Sequence, residues 1–474
     1  MDETLMPAKR SDPPLDRVIA DAFFPSSPAA TTREAIFSDF LAEILGARPR
    51  GKDISQLKDA FMSLSYMTDS PEAAELLWAA FVASYTITGE RGARGKDPKR
   101  YVVPFHPEIA KAMKPKESRP FGKWYIMLMS SGDPPTFNGH LHDKFVARLR
   151  DLAPSNLLEK IAVEAAGVVG YEKVASIDTT PIRPYVEQLS LCFQEDLECW
   201  INYNIESSSR WLQGVSDLLS YYMMMSIVQF SRNVHQEFEA VRNGKKYRAE
   251  LIPMHFGEWD EAASQNREFA RSWEGRNGLE RELFDSWGRL VALRVVSDSA
   301  RSARWAKYSN TLSEATDLPD VTIHTAVKNG LIDALNRFDV RSSSEDIGEL
   351  SWQLATEVTK HYESKQPSLQ SPATMGINVV FQLGNGSSKQ FIRRQNKVGV
   401  TLRLDTPAII FFAKIFNMHK GLSGSYAEFV QFLQYRGMKL DEESQSVVLS
   451  KLEALGMIEK QSDSGESIYV RALQ

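Results

Sequence analysis

Apolar positions recur at helical spacing over most of the chain. Leu41, Ile44 and Leu45 keep a 3.6-residue period, as do Leu76, Leu77, Ala80 and Phe81, so 31–90 reads as helical. Residues 124–129 predict a short strand or the start of a buried helix, and the Gly- and Pro-rich stretch 130–139 a loop. From 140 to 359 nearly everything has the helix period, most clearly between 195 and 241. There Trp211, Val215, Leu218, Leu219, Tyr222 and Met225 share one face. Around 219–228 the pattern is apolar on all sides, which predicts a helix at the centre of a bundle. Seven of the nine tryptophans fall between Trp200 and Trp352 and are expected to fill this core.

Residues 364–376 read as a linker. After it the period shortens: 378–383 and 397–404 predict strands joined across Gly384 to Ser388. Asp405-Thr406-Pro407 then predicts a helix start, with an oxygen cap and Pro in the first turn. A helix over 426–435 puts Tyr426, Phe429, Val430 and Leu433 on one face and ends at Arg436-Gly437. A second, over 442–455, carries Val448, Leu452 and Leu455 and stops at Gly456. Strands over 457–461 and 467–473 flank a tight turn. Helix, turn, helix and hairpin is the order of a winged helix. The expected fold is therefore mainly α: helical bundle domains followed by a C-terminal winged-helix-like module with a small β-hairpin. The expected organisation is a tail over 1–30, an N-terminal helical region with a basic tract over 31–139, a central helical bundle over 140–363, the linker over 364–376, and the winged-helix-like domain over 377–474.

With 474 residues, 43% hydrophobic and 25% charged, the chain can bury several cores, and collagen-like or wholly disordered classes are excluded. Its two cysteines, Cys192 and Cys199, lie seven residues apart, about 10 Å along one helix, too far for a disulfide. That usage fits a reducing cytoplasm. The first twenty residues hold no apolar signal core, and the longest apolar run, 218–230, contains Ser220, Ser226 and Gln229. A bilayer span needs roughly 20 apolar residues, so a cytoplasmic protein without a membrane segment is expected.

Net charge is −5, so any nucleic-acid contact must come from a local patch. Two tracts qualify. Residues 91–123 hold ten Lys or Arg against three acids, and Arg91, Arg94, Lys96, Lys99 and Arg100 lead that tract. Lys389, Arg393, Arg394, Lys397 and Arg403 fall in fifteen residues with no acid among them. These are the candidate DNA contacts; a solvated face or a dock for an acidic partner accounts for them equally well. The helix over 442–455 exposes Glu442, Glu443, Ser446, Ser450 and Glu453 beside the lone Lys451. Carboxylates oppose phosphate binding, so this module is expected to serve protein contacts or architecture.

No enzymatic motif survives inspection. Gly89 to Gly95-Lys96-Asp97 has the wrong spacing for a phosphate loop, and Asp97 replaces the hydroxyl that holds Mg²⁺. Gly384-x-Gly386 lacks a third Gly and a following helix. His140-x-His142-Asp143 offers metal-ligand types without further defined ligands. Glu195, Asp196 and Glu198, like Asp441, Glu442 and Glu443, read as ordinary helix-start or exposed acids rather than a nuclease centre. Cys192 reads as core. No catalytic residue, metal or cofactor is expected.

Lys460 and the run Ser462-Asp463-Ser464-Gly465-Glu466-Ser467-Ile468-Tyr469-Val470 resemble the closing signature of the G subunit of DNA phosphorothioation-dependent restriction systems, the DptG/DndG family. Phe429 through Arg436-Gly437 to Asp441 is similar to the approach to that signature. Looser similarity covers Tyr221-Tyr222 through Gln229, and Pro253-Met254-His255-Phe256 leading to Trp259, Ser264 and Arg267. Gln461, Glu466, Ser467 and Leu440 depart from the pattern. The resemblance implies a non-enzymatic subunit of a bacterial anti-phage restriction complex that cuts DNA lacking the host's phosphorothioate mark. Its implied partners are ATPase and helicase- or translocase-like subunits, with double-stranded DNA as a further contact. The alternatives are a winged-helix transcription regulator and, from a third class, a cryptic metal-dependent nuclease.

Overall fold

The computed structural model describes residues 33–51, 54–88, 100–113, 122–203, 207–257, 278–302, 312, 321–364, 372–385, 390–395, 399–421, 423–460 and 468–471. Among these the fold is mainly helical with small sheets. The N-terminal part comprises α1 (Arg33–Ile44), β1 (Ala47–Pro49), α2 (Ile54–Ser63), α3 (Ser65–Thr68), α4 (Pro71–Tyr85), the hairpin β2 (Thr86–Thr88) and β3 (Arg100–Val102), and α5 (Pro107–Ala112). Then come α6 (Gly122–Leu128), β4 (Ser130–Ser131), β5 (Thr136–Phe137), α7 (Gly139–Arg150), α8 (Leu157–Val169) and β6 (Tyr171–Lys173). The centre is built from α9 (Glu187–Asn202), α10 (Ser208–Arg242), β7 (Met254–Gly257), α11 (Gly278–Ser302), α12 (Val321–Asn336), α13 (Ile347–Ser364) and α14 (Pro372–Gly384). The C-terminal part runs β8 (Ile392–Gln395), β9 (Gly399–Arg403), α15 (Thr406–Lys420), β10 (Ser423–Ser425), α16 (Tyr426–Tyr435), β11 (Met438–Leu440), α17 (Glu442–Ala454), β12 (Ile458–Lys460) and β13 (Ile468–Arg471).

Helix α10 is the spine. Tyr221, Tyr222, Met223, Met224, Met225, Ile227 and Val228 are all buried, as the all-round apolar pattern requires. It packs against α9, α11, α13 and α14. Gly214 lets α9 approach closely: a Cβ there would fall inside the Trp200 ring. The closeness allows a reciprocal pair of bonds, in which the Trp200 indole N–H donates to the Trp211 carbonyl and the Trp211 N–H to the Trp200 carbonyl. Both indole donors are thus satisfied inside the core, which buried Trp requires. A smaller core gathers Phe61, Trp78, Phe81, Phe105 and Ile161 around α2, α4 and α8. No helix among the described residues is long and apolar enough to cross a membrane.

Residues 124–129, expected as a short strand or the start of a buried helix, are the buried helix α6 and its end. Three local expectations change. The expected strand over 378–383, with the end of the expected linker, is the helix α14. Val379, Val380 and Leu383 are buried there at helical spacing, and α14 packs on α10 and α11. Burial on two helices overrides the β-branched bias of that stretch. The stretch 130–139, expected as a loop, carries the short hairpin of β4 and β5. In α4 the buried face is Ala74, Trp78 and Phe81, so Leu76 of the expected stripe is 73% exposed.

The C-terminal part holds a three-stranded antiparallel sheet in the order β10-β13-β12, with α15, α16 and α17 against it or one another. Sequence-local signals set its boundaries. Asp405 accepts the Ala408 N–H, Ser425 and Glu428 form a capping box, and Asp441 accepts the Ser444 N–H. A second sheet, β11-β7-β9-β8, crosses the chain: β7 pairs in parallel with both β11 and β9. Backbone hydrogen bonds therefore tie the C-terminal helices to a strand nearly two hundred residues upstream.

Candidate functional site

Of the first basic tract, the described residues put Arg100 on the hairpin β2–β3 and Lys111 on α5. Thr88 is opposite Arg100 in β2–β3, so the segment 89–99 starts and ends at one point on the surface. Arg91, Arg94, Lys96 and Lys99 of that segment lie outside the described residues, while Arg100 is exposed on β3. The second tract is the hairpin β8–β9. Arg393 is opposite Thr401 and Arg394 opposite Val400, and β8 is an edge strand of its sheet. Lys389, Lys397 and the Arg394 side chain lie outside the described residues. Arg393 and Arg403 are half-buried, and Arg403 Nη1 is 3.4 Å from Gln390 Oε1. Asp405 pins the hairpin's base: one carboxylate oxygen accepts from Gln390 N and the other from Ala408 N, each at 2.9 Å. Charge on an edge strand also keeps it from pairing with another chain, which gives these arginines a purely structural use.

The other predicted surface is α17. Glu442, Glu443, Ser446, Ser450 and Glu453 are exposed, and Lys451 is half-buried. Lys460, from the signature, pairs with Glu453 at 2.6 Å, so its charge is spent locally. Tyr469 lies on the central strand β13, between Ser425 and Glu459. Ser462, Asp463, Ser464 and Gly465 lie outside the described residues.

A third constellation was misread in the sequence. Asp196, expected among exposed acids, is 0% exposed. It sits on the buried stripe of α9 formed by Leu189, Cys192, Phe193, Leu197 and Trp200. An acid in phase with an apolar stripe is the signal that could have revealed it. Its partners come from three helices. Arg436, 3% exposed at the end of α16, donates through Nε at 2.9 Å and through Nη2 at 2.5 Å. Tyr222 of α10 donates its hydroxyl to Oδ2, and His419 Nε2 of α15 is 2.8 Å from Oδ1. Burial opposes the Asp196 charge, but Arg436 and these bonds outweigh it and hold the carboxyl below its ordinary value. The Arg436 guanidinium also covers the Phe432 ring at 3.5 Å.

The carbonyls at the end of α16, left without intrahelical donors, are satisfied by the central elements. Tyr435 O accepts from Gln188 Nε2 at 3.1 Å and from the Cys192 thiol at 3.6 Å. Arg436 O accepts from the Tyr221 hydroxyl at 2.8 Å, and Gly437 O from Met254 N at 2.8 Å. Gly437 has φ of +92°, and a Cβ there would crowd Met225 and Leu251. The arrangement is a joint between α9–α10 and the C-terminal helices. Cys192, expected in the core, is buried in it, and burial pushes its thiol up to about 12.

His142 and Asp143 lie on α7, where His142 Nδ1 meets the Tyr125 hydroxyl at 2.9 Å. Glu198 pairs with Lys144, and Asp441 caps α17. Of the acids that a nuclease reading would gather, Asp196, Glu198 and Asp441 are thus engaged in ion pairs or a cap, while Glu195, Glu442 and Glu443 are exposed.

The joint gives the fold a pH signature. His419 is raised to about 9, first by its bond to Asp196 and then by its bond to Cys199. A cation favoured in the folded state stabilises fully below the ordinary histidine value of 6.5, and that contribution is lost as pH rises through 9. Urea midpoints should therefore fall between pH 6.5 and 9.5, by about 1–2 kcal/mol after screening at the exposed edge of the ring. His419→Gln should lack this alkaline limb; an identical limb in that variant would assign the loss to other groups.

Comparison of the chain with protein-family models and with curated proteins finds no match.

Proposed function

We propose that the chain is a non-enzymatic subunit of a bacterial phosphorothioation-dependent DNA restriction complex. In this reading it bridges ATPase and translocase partners and touches double-stranded DNA through the arginine hairpin β8–β9. The observation that carries the reading is the layout of the C-terminal part. The order α15, β10, α16, β11, α17 and the hairpin β12–β13, with sheet order β10-β13-β12, supports a winged-helix reading. Its expected recognition helix, α17, turns Glu442, Glu443 and Glu453 outward. The same part is tied to the central helices by β11 and by the buried Asp196–Arg436 pair. A winged helix held this way is suited to architecture, which leaves cation-bearing hairpins as the natural DNA contacts. The similarity of 460–470 to the G-subunit signature supplies the system. The regulator alternative needs α17 in a major groove, where its carboxylates would face phosphates.

Affinity capture of the tagged chain from its host, with mass spectrometry of what is retained, tests this directly. ATPase or translocase subunits are expected in near-stoichiometric amounts. Recovery of the chain alone, in good yield and mild salt, would remove the complex-subunit reading.

A further inference from the structure

Helix α10 ends in a turn that sends the chain back along it. Gly244 has φ of +67° and donates its N–H to Val241 O at 2.9 Å, and Lys245 N donates to Ala240 O at 2.8 Å. The returning strap, 245–253, is held by two buried carboxamides of α10. Asn233 Oδ1 accepts from Glu250 N at 3.0 Å and from the Tyr247 hydroxyl at 2.8 Å, and its Nδ2 donates to Glu250 O at 3.1 Å. One turn earlier, Gln229 accepts from Ile252 N at 3.0 Å and donates to Ile252 O at 2.7 Å. Asn233 and Gln229 are both 0% exposed, so the strap is a fixed part of the fold and explains the polar break at Gln229.

The strap carries charge that this frame does not use. Arg242, Lys245, Lys246 and Arg248 are four cations in seven residues with no acid among them, and all four are exposed. Arg242 is committed: it pairs with Glu349 at 2.8 Å and lies over the Trp352 ring. It also ends α10, where a cation offsets the helix dipole. Arg248 is six residues beyond that end, and the side chains of Lys245 and Arg248 have no partner among the described residues. The surroundings select what these cations would meet. None of the large hydrophobic side chains exposed among the described residues lies between 242 and 253, so a protein partner finds no apolar anchor there and a bilayer no wedge. Tyr247 is half-buried with its hydroxyl bonded inward to Asn233 and Gln236, which turns the strap's one aromatic ring away from stacking on a single-stranded base. A duplex phosphate backbone, met by charge alone, fits what remains.

We infer that the strap is a second contact for the backbone of double-stranded DNA, made by Lys245, Lys246 and Arg248. It shares a rigid frame with the arginine hairpin. The strap runs into β7, which pairs in parallel with β9, Phe256 opposite Leu402. Ile252 is bonded to Gln229, thirteen residues before Arg242, so the strap's cations stand about 20 Å along α10 from the start of β7. One turn of duplex, about 34 Å, is long enough to meet both. The inference rests on reading the chain as a DNA-contacting subunit, and it adds a site that can be altered separately from β8–β9.

The test is fluorescence anisotropy of the full-length chain on a random-sequence duplex across a salt series. Lys245→Glu/Lys246→Glu/Arg248→Glu should lower the slope of log K against log salt by about 2–3 and the affinity at low salt by roughly tenfold or more. Lys245→Gln/Arg248→Gln alters only side chains without partners and should lower the slope by about 2, with an unchanged urea midpoint. It decides the matter even if the triple variant folds poorly. Affinity and slope equal to those of the unaltered chain in Lys245→Gln/Arg248→Gln would overturn the inference and leave the hairpin β8–β9 untouched. No duplex binding by the unaltered chain at low salt would remove the DNA reading of both segments. Binding to phosphatidylserine vesicles that the strap variants lose, with duplex binding intact, would assign the strap to a membrane surface instead.

Discussion

Arg436→Leu should lower the unfolding free energy by about 3–5 kcal/mol, read as a large drop in urea midpoint at pH 7. Asp196 has no solvent exposure, so without the guanidinium its charge keeps only the Tyr222 hydroxyl and His419. Removing one member of a buried pair leaves the other uncompensated, and that residue, rather than the lost attraction, accounts for most of the loss. The double variant Asp196→Leu/Arg436→Met separates the two effects. It removes both charges and leaves His419, 25% exposed, free to deprotonate toward solvent. If the pair mainly fixes how α16 docks on α9, the double variant should recover most of the midpoint while β7–β11 amides lose hydrogen-exchange protection. If the double variant is as unstable as Arg436→Leu, the pair is itself a net source of stability. A single-variant loss below about 1 kcal/mol would mean that water reaches Asp196 and the joint is not the buried site described.

The fold was legible where its determinants are local. The cap at Asp405 and the stop at Gly437 each act within a few residues, and α15 begins and α16 ends as expected from them. The all-round apolar run of α10 announced its central position in the same way. What stayed hidden depends on distant partners. Residues 378–383 have the composition of a strand and become α14 because α10 and α11 offer a helical groove. Strand β7 is four residues long and exists through pairing with β9 and β11, more than a hundred residues away in sequence. Asp196 was misjudged for a related reason. An acid beside Glu195 and Glu198 looks like a solvated turn, and only the arrival of Arg436, two hundred and forty residues on, makes its burial affordable. The candidate DNA contacts were legible as charge; of them the structure places Arg100 on β3 and Arg393, Arg394 and Arg403 on the hairpin β8–β9.

Reversing the charge of the second hairpin should weaken binding to double-stranded DNA in a salt-dependent way. The variant is Arg393→Glu/Arg394→Glu/Lys397→Glu, compared with the unaltered chain by fluorescence anisotropy on a duplex of random sequence. Each phosphate neutralised by a cation contributes about 0.9 to the slope of log K against log salt. Loss of two such contacts lowers the slope by about 2 and the affinity at low salt by roughly tenfold or more, with the gap closing as salt rises. The edge position of β8 makes this a substitution the fold should tolerate, since Glu keeps an edge strand as well protected as Arg does. A matched reversal on α17, Glu442→Lys/Glu443→Lys, discriminates the surfaces. If β8–β9 is the contact and α17 faces away from DNA, the α17 variant gains little and keeps the original slope. If the α17 variant gains affinity with a steeper slope while the hairpin variant is unchanged, the winged helix itself meets DNA, and the regulator reading replaces the architectural one. Equal binding by all three chains at every salt concentration would leave the hairpin arginines with their edge-protecting use alone.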